Sequence, residues 1–223
     1  MSDSEPLALH YRAARALLRL YFGGICSVRL ENVDLPPGSF IVSMNHRSAW
    51  DMIVYVAILP RRIKFLAKKE LFHIPVLKWI VARWCIPIDR GRYDRKALDL
   101  CSEALRQGYV LSIFPEGTRH AGLAIAHGGA VLLAARTGVP LVPGAIMGAY
   151  GPMQTLTIRF GQPMRFPPHL TRQQRQAETD RLLATIRGLG ATPPQRRPRR
   201  RARFRIRSRR LRSGGHDDGE RAG

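Results

Sequence analysis

Apolar and polar positions alternate along this chain in two rhythms. Between Pro6 and Phe22, Leu7, Tyr11, Ala14, Leu17, Leu18 and Tyr21 recur at helical spacing, while Arg12, Arg15 and Arg19 mark another side. That spacing predicts an amphipathic helix, ended by Gly23-Gly24. Beyond it, short apolar runs bounded by turn residues predict strands at 28–33, 40–44, 63–67, 85–88, 109–114, 140–147 and 155–160. Longer patterns between them predict helices at 48–59, 75–83, 94–107, 129–136 and 171–187. Pro36-Pro37-Gly38 reads as a turn, Pro75 suits a first helical turn, and Pro60, Gly108 and Gly138 read as helix stops. There is no internal repeat.

Strands separated by helical stretches predict an α/β fold: a single domain with a mostly parallel mixed sheet flanked by helices, plus the N-terminal amphipathic helix. The expected division is 1–24 for that helix, 25–190 for the α/β domain and 191–223 for a tail. In such sheets a site lies at the carboxyl ends of the strands. Three predicted strand ends there offer chemistry: His46 and Asp51 after the second strand, Arg90 after the fourth, and Glu116 and Arg119 after the fifth.

His46 and Asp51 are five residues apart, and in one continuous helix such residues diverge by about 140°. They meet only if His46 sits on the turn before the helix and Asp51 in its first turn. Ser48 is a good N-cap, and Ser48-Ala49-Trp50-Asp51 fits the capping pattern with Asp in place of Glu or Gln. Asp51 can therefore be read as a cap or as the partner of an imidazole, and the two readings are compatible. A first-turn carboxylate is kept ionised by the helix N-terminus, and beside an imidazole it fixes the tautomer. Arg90 and Arg119 suit a phosphate monoester through the bidentate fork of the guanidinium, and Gly117 allows close backbone approach. No Ser occupies a nucleophile elbow and no Cys sits beside a helix start, so direct transfer assisted by a base is favoured over a covalent intermediate.

Charge widens the picture. Lys+Arg 37 against Asp+Glu 16 gives a net +21. From Thr192 to the end, twelve Arg face only Asp217, Asp218 and Glu220, so +9 belongs to the tail and +12 to the body. Both favour an anionic partner: a phospholipid surface, nucleic acid or an acidic protein. Gln195 to Arg212 is too poor in apolar residues to bury a core and reads as disordered in isolation. The tail could be a plain solvated extension, a polybasic membrane tether or a polyphosphate-binding segment. Cys26, Cys85 and Cys101 lack metal-ligand spacing and read as buried free thiols of a reducing compartment. No apolar run reaches the ~18 residues of a membrane span, and the N-terminal Arg residues are unlike a secretory signal. The expectation is a peripheral protein on the cytoplasmic face of a membrane.

Four ordered blocks then resemble the glycerolipid acyltransferase family: Asn45-His46-x4-Asp51, Ile86-Pro87-Ile88-Asp89-Arg90, Phe114-Pro115-Glu116-Gly117-Thr118-Arg119 and Val139-Pro140-Leu141-Val142-Pro143. Ala67-Lys68-Lys69-Glu70-Leu71 with Pro75 is similar to a further family stretch. The member class most resembled is the 1-acylglycerol-3-phosphate (lysophosphatidate) acyltransferases. The resemblance covers 40–147, and more loosely 28–160. It implies a glycerol-3-phosphate acyltransferase-like fold. It implies that His46 deprotonates the free glycerol hydroxyl of a lysophospholipid, oriented by Asp51. Arg90 and Arg119 would hold the phosphate, Glu116 and Gly117 would shape the acceptor site, and Lys68 is a further phosphate candidate. The donor would be acyl-coenzyme A or acyl-acyl carrier protein, with no bound cofactor and no metal. The chain departs from the family pattern at Ala126-His127-Gly128-Gly129, where many members carry Phe-Lys-x-Gly, at His120 in place of a usual Ser, and at Lys78 where Gly is common. Two other readings stand beside this one. One is the same chemistry on another lysolipid, such as a lyso-ornithine lipid. The other is a basic membrane- or nucleic-acid-binding protein on an acyltransferase scaffold; nucleic acid is not the expected partner.

Overall fold

The structure, a computed structural model, describes residues 12–18, 20, 27–48, 50–59, 61–75, 77–89, 94–115, 128–151 and 153–191. Among the described residues, seven strands form one sheet: β1 (Ser27–Glu31), β2 (Ile41–Met44), β3 (Ile63–Lys68), β4 (Cys85–Ile88), β5 (Val110–Ile113), β6 (Leu141–Gly148) and β7 (Thr155–Phe160). Between and after them lie α1 (Trp50–Ile58), a 3-10 turn (Lys69–His73), α2 (Leu77–Trp84), α3 (Arg95–Arg106), α4 (Gly129–Thr137) and α5 (Arg172–Ala191).

The strand order is β1-β7-β6-β2-β5-β3-β4. The five strands from β6 to β4 run parallel, so their carboxyl ends share one edge. β7 is antiparallel to β6, and β1 is parallel to β7. The sheet is thus the mostly parallel mixed sheet that the alternation of strands and helices predicts.

Right-handed crossovers explain the layering. The connections through α1 and α2 step toward the β4 edge, and those through α3 and α4 step back, so the two pairs cover opposite faces. The core divides accordingly. Phe40, Val42 and Met44 pack with Val54, Tyr55 and Ile58 of α1. Ile41, Leu111 and Ile113 pack with Leu98 and Leu105 of α3, Val131 of α4, and Leu182 and Ile186 of α5. Covered on both faces, β2 and β5 have every residue buried, which is why they read as unbroken apolar runs.

The described part of the N-terminal segment, residues 12–18, is helical, and Leu18 packs on the face that carries α1. At the other edge Glu31 and Arg159 are register partners of β1 and β7, ion-paired at 2.7 Å with both side chains largely buried. Arg159 Nη1 also donates to the Leu189 carbonyl at 2.8 Å, tying the end of α5 to the sheet.

Three departures from the sequence reading are local. The 3-10 turn at Lys69–His73 has no apolar period to announce it. α2 begins at Leu77 rather than Pro75, although Lys78 N–H donates to the Ile74 carbonyl at 2.8 Å, the bond expected when Pro75 leads the first turn. α5 continues to Ala191 instead of stopping before Gly188, because Leu189 reaches the sheet and a Cβ on Gly190 would stand 3.7 Å from that of Ala145. Cys85 and Cys101 are free thiols, and burial pushes them up to about 11 and about 12. Cys26 lies outside the described residues.

Candidate active site

The carboxyl edge of β2 delivers Asn45 and His46 before α1 begins. Asn45 fastens this corner: its Nδ2 donates to the Ile146 carbonyl at 3.1 Å, and its Oδ1 accepts from Ile146 N–H at 2.7 Å. One amide side chain so pairs both backbone groups of a residue in β6. Arg47 Nη1 donates to the Gly148 carbonyl at 2.6 Å, closing the same seam where β6 ends.

Asp51 caps α1 and holds the imidazole at once. Its Oδ2 accepts from Arg47 N–H at 2.7 Å, from Ser48 N–H at 2.8 Å and from His46 Nδ1 at 3.0 Å. Ser48 Oγ accepts from Trp50 N–H at 3.3 Å, one residue before Asp51, whose own N–H donates to the Ser48 carbonyl at 3.0 Å. Oδ1 accepts a short hydrogen bond from the Tyr150 hydroxyl. The Asp51 side chain is 0% exposed. Burial works against its charge, but the bonds from His46, Tyr150, Ser48 and Arg47 outweigh it and hold the carboxyl below its ordinary value.

An ionised carboxylate only accepts, so the neutral form of the His46 ring carries its proton on Nδ1 and its lone pair on Nε2. The ring is 27% exposed and stacks on Phe114, just beyond β5, with centroids 4.3 Å apart. Tyr55 of α1 is fully buried behind the pair, 6.4 Å from the Phe114 ring. Burial first, then the nearby Asp51 and Tyr150, push its phenol well above the usual range, so it stays neutral. Among the described residues, the arrangement is a held imidazole whose second ring nitrogen has no partner. It can take a proton from a hydroxyl.

Of the remaining sequence candidates, Lys68 is exposed at the carboxyl end of β3. It lies two strands from β2 across β5, about 10 Å at the usual strand spacing. Arg90, Glu116, Gly117 and Arg119 lie outside the described residues, as do His120 and His127. The chain that leads to them is described. Asp89 pairs with Lys69 at 3.3 Å, and its N–H donates to Asp94, which caps α3. Phe114 and Pro115 continue β5 beside His46. Tyr150 and the stacking role of Phe114 are absent from the sequence reading. The one hint of Tyr150 is a polar aromatic residue two positions beyond the end of a buried strand.

A profile of the family described as Acyltransferase matches residues 27–147, more than half of the chain. The chain belongs to the acyltransferase family. Among the family's curated members, the 1-acyl-sn-glycerol-3-phosphate acyltransferase of Bacillus subtilis (strain 168) is 34% identical over 131 residues, covering 56% of this chain and 64% of that protein. The protein of the same name from Streptococcus pneumoniae (strain ATCC BAA-255 / R6) is 30% identical over 173 residues, covering 70% of this chain and 63% of that one. The chain thus spans less than two thirds of the length of these relatives. The crystal structure of the 1-acyl-sn-glycerophosphate acyltransferase PlsC from Thermotoga maritima aligns over 82% of both chains, with a TM-score of 0.58 and 22% identity. That likeness establishes a shared fold, and this acyltransferase-family chain has the α/β architecture that its sequence predicts.

Proposed function

We propose that this chain transfers a fatty acyl group from an acyl thioester to the free hydroxyl of 1-acylglycerol-3-phosphate, making phosphatidate. The observation that carries the reading is the His46–Asp51 pair at the carboxyl edge of the parallel strands, with Nδ1 engaged and Nε2 left to act as base. Nε2 takes the proton of the glycerol hydroxyl. The oxygen attacks the thioester carbonyl, a C–O bond forms and the C–S bond breaks. The imidazolium returns its proton to the departing thiolate, so no side chain is acylated. Asp51 stabilises the imidazolium while it exists, and Tyr150 positions Asp51 from the far side.

In this proposal Arg90 and Arg119 hold the acceptor's phosphate, Glu116 and Gly117 shape its site, and Lys68 contributes positive charge at the same sheet edge. The donor is acyl-coenzyme A or acyl-acyl carrier protein; the basic body suits either anionic carrier. The names borne by the two bacterial relatives support the choice of acceptor. The domain division follows the sequence expectation, with 25–190 as the transferase body. It works on the cytoplasmic face of a membrane, with the N-terminal helix and the Arg-rich tail against lipid. Among the described residues, no helix is long and apolar enough to cross a membrane.

An acceptor panel tests the reading. Lysophosphatidate should be acylated at least about tenfold more efficiently than the monoacylglycerol lacking the phosphate, since charge-assisted bonds to phosphate contribute on the order of 1.5–3 kcal/mol each. Equal rates on both, or preference for a lyso-ornithine lipid, would reassign the acceptor.

A further inference from the structure

Among the described residues, Val33, Trp50 and Met153 are large apolar side chains exposed singly on other segments, whereas three more lie together on and just before α2. On α2, Val81 packs inward, while Trp79, two residues earlier and on the opposite side of the helix, is 76% exposed. Ile80 beside it is 59% exposed, and Ile74, just before the helix, is also exposed. No packing requirement of the fold explains a tryptophan aimed away from the core. Placing one there leaves some of the largest apolar surface a side chain can offer in water. The described N-terminal segment packs its Leu18 on the same sheet face and leaves Leu17 and Leu20 exposed. On the α3, α4 and α5 side, Leu100 is the one large apolar side chain exposed to a comparable degree among the described residues.

The charges around the patch are mostly positive. From Lys69 to Trp84 the chain carries Lys69, Lys78 and Arg83 against Glu70 alone. Lys78 Nζ lies 5.7 Å from the Trp79 ring centroid, so a cation and an indole are presented together. That is the chemistry of a lipid–water interface: an indole settles at headgroup depth while a long basic side chain lies along apolar surface and keeps its charge beside anionic headgroups. Geometry adds a reason. β3 ends at the edge where His46 lies, the 3-10 turn and Ile74 follow there, and α2 runs back from that edge.

We propose that the Ile74, Trp79 and Ile80 surface of α2 docks into an anionic phospholipid bilayer and sets the His46 edge of the sheet against the lipid. A substrate with an acyl chain would then reach the site without leaving the membrane. Docking is measured without turnover, so its failure and that of the acyl-transfer reading are separable.

The test is binding of the full chain to vesicles of phosphatidylglycerol and phosphatidylcholine, in low salt and in about 0.5 M salt, where a Debye length of ~4 Å screens the Arg-rich tail. The double variant Trp79→Ser/Ile80→Ser, folded by circular dichroism, should lose at least about tenfold of the binding that persists in high salt, the size expected for one large apolar side chain no longer buried. Leu100→Ser on the opposite face should bind as the wild type does. Unchanged binding by the double variant, or equal loss in both variants, would overturn the proposal. So would a wild-type dimer that the double variant dissociates while vesicle binding stays intact, since the patch would then belong to a second copy of the chain.

Discussion

The Asp51 carboxylate accepts from two backbone N–H groups, an imidazole and a phenol while fully buried. Asp51→Asn can keep one oxygen for the backbone groups and the ring, but it drops the charge that, in the proposed mechanism, stabilises the imidazolium during proton transfer. Turnover should fall on the order of a hundredfold or more, at the scale of a lost general-base contribution, with the fold retained by circular dichroism. Its acid profile should change too. The native carboxyl sits below 3.8 and the unfolded one near 3.8. As pH falls, the unfolded chain takes up the proton first, so this contribution to stability is complete above that range and is lost as pH falls through the native value. Chemical unfolding from about pH 5 down to pH 2 should therefore show a shallower loss for Asp51→Asn than for the wild type. Tyr150→Phe removes one of the donors that keep Asp51 ionised and should flatten the same slope part-way. Its kcat should drop about tenfold with acceptor KM unchanged, since Tyr150 acts through Asp51 rather than on substrate. A rise in KM alone would contradict that role. The His46–Asp51 pair is legible in the sequence because cap and dyad lie within six residues and local geometry allows one solution. Tyr150 is not, because it arrives 99 residues later, placed by the pairing of β6 with β2.

That pairing is where elements matter. Asn45 and Arg47 both reach β6 and its end, so the strand and the His46 corner are tied together. Gly148 closes β6 with a φ of +92°, and a Cβ there would overlap the Thr155 carbonyl oxygen. Gly148→Ala must shift the β6–β7 connection that carries Tyr150, at a cost of order 1–3 kcal/mol. The melting point should fall, and activity should fall by a larger factor than in a surface variant of equal stability loss. Activity that simply tracks stability would mean the connection does not position the site. The strands and helices of the body are legible because burial on both sheet faces makes continuous apolar runs and because glycines mark the stops. Gly138 ends α4 at a φ of +70° with its N–H on the Ala134 carbonyl. The end of α5 is not legible in this way: Gly188 and Gly190 look like stops, but tertiary contacts to β6 and β7 carry the helix through them.

Across the whole molecule, the parallel strands bring His46, Lys68, the approach to Arg90 and the approach to Glu116 to one edge. In the proposed account, the basic body and the apolar patch on α2 present the protein to an anionic, lipid-bearing partner. Order of strands is a global property; the sequence supplies the alternation, and only the β-pairing shows that β5 separates β2 from β3. The central claim is that His46 is the base of a direct acyl transfer to lysophosphatidate. Its most direct test is thiol release from acyl-coenzyme A and from acyl-acyl carrier protein, each with lysophosphatidate, in the wild type and in His46→Ala. The account predicts release that depends on the acceptor with at least one donor, and its loss by on the order of a thousandfold or more in a folded His46→Ala. Acceptor-dependent release that survives in that variant would contradict it.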